Sequence, residues 1–145
     1  MDISVRRLNA GDETVASNAA RSFKGAAISP SHARAFLANP ANYLVIAEVA
    51  GDLAGFLLAY RLDRLDRPAG QLFVYEVAVA SPYQRHHVGT ALVQFVRAVV
   101  RQEHLMEAFV LTSRDNAPAI ALYTGTGAQI EDEASVLLVY PGAAA

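Results

Sequence analysis

Glu76 is the one charged residue in an otherwise apolar run, Leu72-Phe73-Val74-Tyr75-Glu76-Val77-Ala78-Val79. The run reads as a strand. A carboxylate with such neighbours belongs in a sheet interior or a cleft, where an isolated charge is costly and is more often functional than decorative. It could take a proton from an amine, directly or through a water, or hold an ammonium group. A polar turn follows, Gln84 to Thr90, and leads into a helix. Free N–H groups at a helix N-terminus bind an anion without needing a lysine, although such a turn is equally consistent with an ordinary strand–helix connection. Glu131-Asp132-Glu133, together with Asp63 and Asp66, could capture a polycation, whereas the usual reading of such runs is a solvated turn. His86 and His87 do not make a metal site, because adjacent residues rarely point the same way and no third ligand is spaced for it. His32 and His104 read as surface residues, and no Ser-His-Asp triad assembles.

These groups need elements to hold them. Ile3 to Leu8 reads as a strand, and Asp12 is placed to cap a helix that runs to about Phe23 and closes at Gly25. Ser29 as N-cap and Pro30 at the first helical position open a second helix, ending at Asn39-Pro40. Tyr43–Val49 and Leu53–Leu62 form a hairpin about Ala50-Gly51-Asp52, and the charged loop Arg61–Gly70 leads to the strand of Glu76. From Val88 onward, Ala91, Leu92, Phe95, Val96 and Val99 make one apolar helix stripe. Ala108–Thr112 is a strand, Asn116 a helix cap, and Ala119–Tyr123 a short helix before Gly125 and Gly127. Ala128–Glu131 and Ser135–Tyr140 read as two final strands, and Ala143–Ala145 is a low-complexity tail. The order implies an α/β fold with a mixed sheet.

The 145 residues suit a single domain with a real core. Formal net charge is −2 with the basic residues scattered, so a nucleic-acid partner is not expected and a cationic small substrate is. Cysteine is absent, which excludes disulfides, thiolate ligands and a cysteine nucleophile. Neither a signal peptide nor a membrane-spanning run is visible, and a cytoplasmic location is the expectation.

Gln84-Arg85-His86-His87-Val88-Gly89 resembles the acyl-CoA signature of the GCN5-related N-acetyltransferases (GNAT), Gln/Arg-x-x-Gly-x-Gly/Ala. His87 stands where the first glycine is usual, a position that wants backbone freedom. Asn116-Ala117-Pro118-Ala119-Ile120-Ala121-Leu122-Tyr123, followed by Gly127, resembles the family's Asn-x-x-Ala-x-x-Leu-Tyr segment. Within the family, the Tyr75-Glu76 pair and Ala121-Leu122-Tyr123-Thr124 look like the small aminoglycoside 3-N-acetyltransferases. The resemblance implies a GNAT fold, with a mixed central sheet of about six to seven strands flanked by about four helices. It implies acetyl-CoA as co-substrate, held by residues 84 to 90 (Gln84, Arg85, His86, His87, Val88, Gly89, Thr90), by Asn116, and by the backbone of Val77 and Val79. It further implies Tyr123 as acid toward the departing thiolate, Tyr75 beside Glu76, the expected base, and acidic residues at Glu131, Asp132 and Glu133 around a cationic acceptor, which Asp63 and Asp66 would join by charge. That acceptor would be an aminoglycoside, acetylated on its 3-amino group in a ternary complex. A polyamine, another small amine or a protein amine are alternatives, as is a non-catalytic acyl-CoA-binding module. Many relatives are dimers, so a homodimer is compatible with the chain.

Overall fold

A computed structural model describes residues 1–143; Ala144 and Ala145, the end of the alanine tail, lie outside the described residues. Five strands form one sheet in the order β1 (Ile3–Arg7), β2 (Asn42–Val49), β3 (Asp52–Leu62), β4 (Gln71–Val79) and β5 (Glu107–Val110). β1 to β4 are antiparallel neighbours, and β5 lies parallel to β4. Four α-helices complete the fold: α1 (Glu13–Lys24), α2 (Pro30–Ala38), α3 (Val88–Gln102) and α4 (Ala117–Gly125). Ser81–Tyr83 is a single 3₁₀ turn between β4 and α3.

The sheet is covered on both faces. On one, α3 contributes Val88, Leu92, Val96 and Val99 to a core with Val45, Ala47, Leu57, Leu72 and Val74. On the other, Ala16 of α1 and Ala33 of α2 meet Leu44, Ile46 and Phe56. Alternate residues of β2 thus enter opposite cores, which is why Tyr43 to Ala47 is buried without a break. The helix signals act as expected at Ser29, whose hydroxyl accepts from the His32 N–H at 3.1 Å, and at Gly25, which closes α1 at φ 61°. Asp12 stands at the start of α1 but makes no cap bond; its carboxylate accepts from the Asn9 N–H and from Arg6.

Gly55 sets how closely α3 approaches the sheet. A Cβ there would lie 2.9 Å from the Ala78 carbonyl oxygen and 3.0 Å from Val88 Cγ1, so only glycine lets α3 and β4 close over β3 at this point.

The two strands expected at the end of the chain are not formed. Residues 128 to 143 carry no helix or strand, and the sheet has five strands rather than six or seven. Both stretches have strand composition, but composition creates a strand only where an edge pairs with it. Here the Asp132 carboxylate turns the chain by accepting from the Ala134 N–H at 2.9 Å and from the Ser135 hydroxyl, and Glu133 pairs with Arg114 at 2.7 Å.

Candidate active site

β4 and β5 pair only from Gln71 to Val74 and from Glu107 to Val110. Past Val74 the two strands separate, leaving one side of β4 open between the start of α3 and the loop before α4. Which backbone groups face this gap follows from the pairing. The Ala80 N–H donates to the Ala54 carbonyl, and Phe56 lies opposite Ala78, so residues 78 and 80 direct their N–H groups at β3. By the alternation of an antiparallel ladder, Val77 and Val79 direct theirs into the gap. The Gln84 side chain donates to the Val79 carbonyl at 3.2 Å from that side.

A bulge decides where Glu76 points. Leu58 lies opposite Glu76 while Ala59 lies opposite Val74, so Tyr75 is an extra residue in β4. Leu72 and Val74 face the α3 core before the bulge, and Val77 and Val79 pack against the same core after it. Tyr75 and Glu76 are therefore consecutive residues turned toward the α1–α2 side. The sequence places the Glu76 carboxylate in a sheet interior or a cleft; its side chain is 25% exposed and ion-paired with Lys24, the last residue of α1 and the only lysine in the chain. Sequence reasoning missed Lys24, because nothing local ties a helix end to a strand 52 residues away.

Tyr75 belongs to an aromatic row. Its ring meets Tyr60 edge-on at 5.7 Å and Phe73 at 5.8 Å, Phe73 stacks on Phe109 at 4.9 Å, and Tyr60 meets Phe36 of α2. Tyr75 remains 54% exposed, so the row offers a rigid apolar surface beside the Glu76 carboxylate. Burial, with Tyr75 and Glu76 nearby, raises the pKa of the Tyr60 hydroxyl.

At the other end of β4 the chain enters α3 through Gln84–His87. Arg85 and His87 are both left-handed, at φ 64° and 67°; His87 adopts the conformation that the glycine of the resembled signature would favour. His87 occupies the N-cap position without a side-chain cap bond, and the first helical N–H to find a backbone acceptor is that of Ala91. Among the described residues, the N–H groups from Arg85 to Thr90 have no backbone acceptor. Exposed N–H groups at the positive end of a fifteen-residue helix fit a pyrophosphate. Gly89 lies against α4, where a Cβ would come within 3.2 Å of Leu122, and Arg97 ties α3 to the Thr126 carbonyl at 2.8 Å. These contacts seat α4 beside the cradle. Tyr123 is half-buried there, and burial alone raises its pKa, so its hydroxyl keeps its proton. Asn116 caps α4 through the Ala119 N–H at 3.2 Å.

The acidic groups are dispersed. Asp66 is held by both ends of the Arg64 guanidinium at 2.8 and 2.9 Å, and Asp63 is 96% exposed on the same loop. That loop meets β4 at the end remote from the start of α3. Glu131, Asp132 and Glu133 are exposed, the last two already engaged as described. No three His, Asp or Glu side chains converge on one point among the described residues.

A splayed parallel strand pair, an uncapped helix at its mouth and a carboxylate beside the unpaired strand edge meet at one gap in the sheet. The acetyltransferase (GNAT) family matches residues 13–127, and the chain belongs to that family. No curated protein sequence matches significantly. Among solved structures, the aminoglycoside acetyltransferase meta-AAC0020 from an uncultured soil metagenomic sample, known with trehalose and with sisomicin, aligns with 97% of this chain and 95% of its own. The TM-score is 0.87 and the identity 20% for the trehalose complex. The aminoglycoside acetyltransferase HMB0005, also from soil metagenomic DNA, matches at TM-score 0.79 and 24% identity over 97% of this chain and 100% of its own. AAC(6')-Iy, bound to the bisubstrate analog CoA-S-monomethyl-acetylneamine, matches at 0.77 and 15% over 98% and 99%. At these identities the likeness is one of fold.

Proposed function

We propose that the protein transfers an acetyl group from acetyl-CoA to a primary amine of an aminoglycoside, the 3-amino group by the sequence resemblance. The observation that carries this reading is the Lys24–Glu76 pair. An alkylammonium already rests on the carboxylate beside the open edge of β4, so the place accepts a primary amine in its charged form. The aromatic row around Tyr75 supports a ring-shaped acceptor over a flexible chain, since it offers flat apolar area next to the charge.

Acetyl-CoA supplies an acyl group activated as a thioester. In this reading the N–H groups of residues 85 to 90 hold its pyrophosphate, and Val77 and Val79 offer backbone donors to the thioester carbonyl. Glu76 removes a proton from the acceptor ammonium, which frees the nitrogen lone pair for attack. Tyr123 keeps a proton on its hydroxyl for the departing sulfur. The chain contains no cysteine to form an acyl-enzyme, so attack is direct, with both substrates bound together.

Thiol release from acetyl-CoA by the purified protein tests this, with gentamicin, spermidine and a lysine peptide offered in parallel and Glu76→Gln as control. Turnover with the aminoglycoside that falls by about 100-fold or more in Glu76→Gln is the expected result. Turnover with spermidine or the peptide alone would remove the aminoglycoside assignment while leaving the transferase. Saturable acetyl-CoA binding with no turnover on any amine would point to a binding module. NMR of the acetylated product reads which amino group was modified.

A further inference from the structure

Lys24 is a primary amine that the fold itself carries to Glu76. Phe23, the residue before it, stacks on Phe56 of β3 with ring centroids 5.0 Å apart, which seats the end of α1 on the sheet. Gly25 then ends the helix, and the N–H groups of Gly25 and Ala26 donate to the Arg21 and Ala20 carbonyls at 3.2 Å. Lys24 is held between an aromatic anchor and a closed helix end. Its ammonium meets Glu76 on the face to which the bulge turns Tyr75 and Glu76.

Two features set this pair apart from an ordinary surface salt bridge. A purely structural pair is served at least as well by arginine, and arginine fills every other basic side-chain position in the chain. Lysine stands only beside the carboxylate proposed as the base. The second feature is position. Val77, whose N–H is directed into the gap, directly follows Glu76 in β4. The amine, the carboxylate and a donor proposed for the thioester carbonyl therefore share one short length of strand. Among the described residues, Glu76 has no other cationic partner.

We propose, resting on the acetyltransferase reading above, that Lys24 is a self-acetylation site: with acetyl-CoA bound and no acceptor present, the protein moves the acetyl group onto its own Lys24 Nζ. Glu76 takes one proton from the ammonium and passes it to solvent. The freed lone pair attacks the thioester carbon, a C–N bond forms and the C–S bond breaks. The second proton lost from nitrogen balances the one gained by the departing sulfur, so the products are acetyl-lysine and the free thiol. Because amine and base belong to one chain, the step is intramolecular. It turns the ammonium into a neutral amide and leaves Glu76 without its cation, open to an incoming acceptor.

Intact mass and peptide mapping of the full chain, after incubation with acetyl-CoA alone, test the proposal. The expected product carries one acetyl group, on Lys24. Its rate constant is independent of protein concentration and falls by about 100-fold in Glu76→Gln. The α-amine of Met1 is the internal reference: Met1 is 67% exposed and precedes β1, which β2 and β3 separate from β4. Direct chemical acetylation marks that amine whether or not Glu76 is present. An unmodified Lys24, a rate no faster than that of Met1, a rate constant that rises with protein concentration, or one indifferent to Glu76→Gln overturns the proposal. The Lys24-to-Met1 ratio in the wild type needs no variant, so it decides the matter even if Glu76→Gln fails to fold. Gentamicin turnover by the same preparation separates the two readings. Turnover without acetyl-Lys24 removes self-acetylation and leaves the aminoglycoside reading, whereas acetyl-Lys24 without turnover keeps self-acetylation and removes that acceptor.

Discussion

At the residue scale, Lys24 and Glu76 form a pair that, in the proposed reaction, a cationic acceptor has to open. Lys24 is nearly half exposed, and pairs of this kind are worth about 0–1 kcal/mol, so displacement is cheap. Lys24→Met is expected to lower the KM for the amine by up to about 5-fold and to leave kcat nearly unchanged. A fall in kcat instead would assign Lys24 to orienting Glu76. Tyr123→Phe is expected to lower kcat by about 100-fold with little change in acetyl-CoA affinity. Since burial raises the tyrosine pKa, the wild-type basic limb from this group lies above about pH 10, where its proton is lost. A limb at pH 8 that vanishes in Tyr123→Phe would contradict the assignment. Glu76 and Tyr123 stand out in the sequence as candidates because each departs from its surroundings or falls within a spaced motif. The Lys24 partnership does not, because a side-chain meeting between distant segments leaves no local pattern.

At the element scale, the loop into α3 holds a cost. His87 adopts a left-handed conformation at φ 67°, which a residue with a Cβ reaches at about 1–2 kcal/mol. His87→Gly removes that cost, offset in part by the greater freedom of the unfolded chain. The expected net gain is about 0.5–1 kcal/mol, a rise of about 1–4 °C in Tm by calorimetry, with acetyl-CoA binding retained. A lower Tm would mean that the His87 side chain makes a contribution larger than the strain. The order of the elements through α4 could be read from periodicity, caps and glycines, and Ser29, Gly25 and Asn116 act as those signals imply. The bulge at Tyr75 could not, since nothing in an apolar run marks one residue as extra; yet it alone turns Tyr75 and Glu76 to the same face. The final strands were overread because strand composition makes a strand only where an edge pairs with it, and residues 128 to 143 pair with none.

At the scale of the whole molecule, one amine stands apart among the basic groups. The basic residues number 12, and all but one are arginines. An arginine guanidinium does not react with the common acylating labels, so apart from the chain's first residue an amine-directed reagent has a single target, Lys24. Its labelling rate then serves as a gauge of the Lys24–Glu76 pair: a cation without a reactive amine that takes the Glu76 carboxylate releases the lysine and changes that rate.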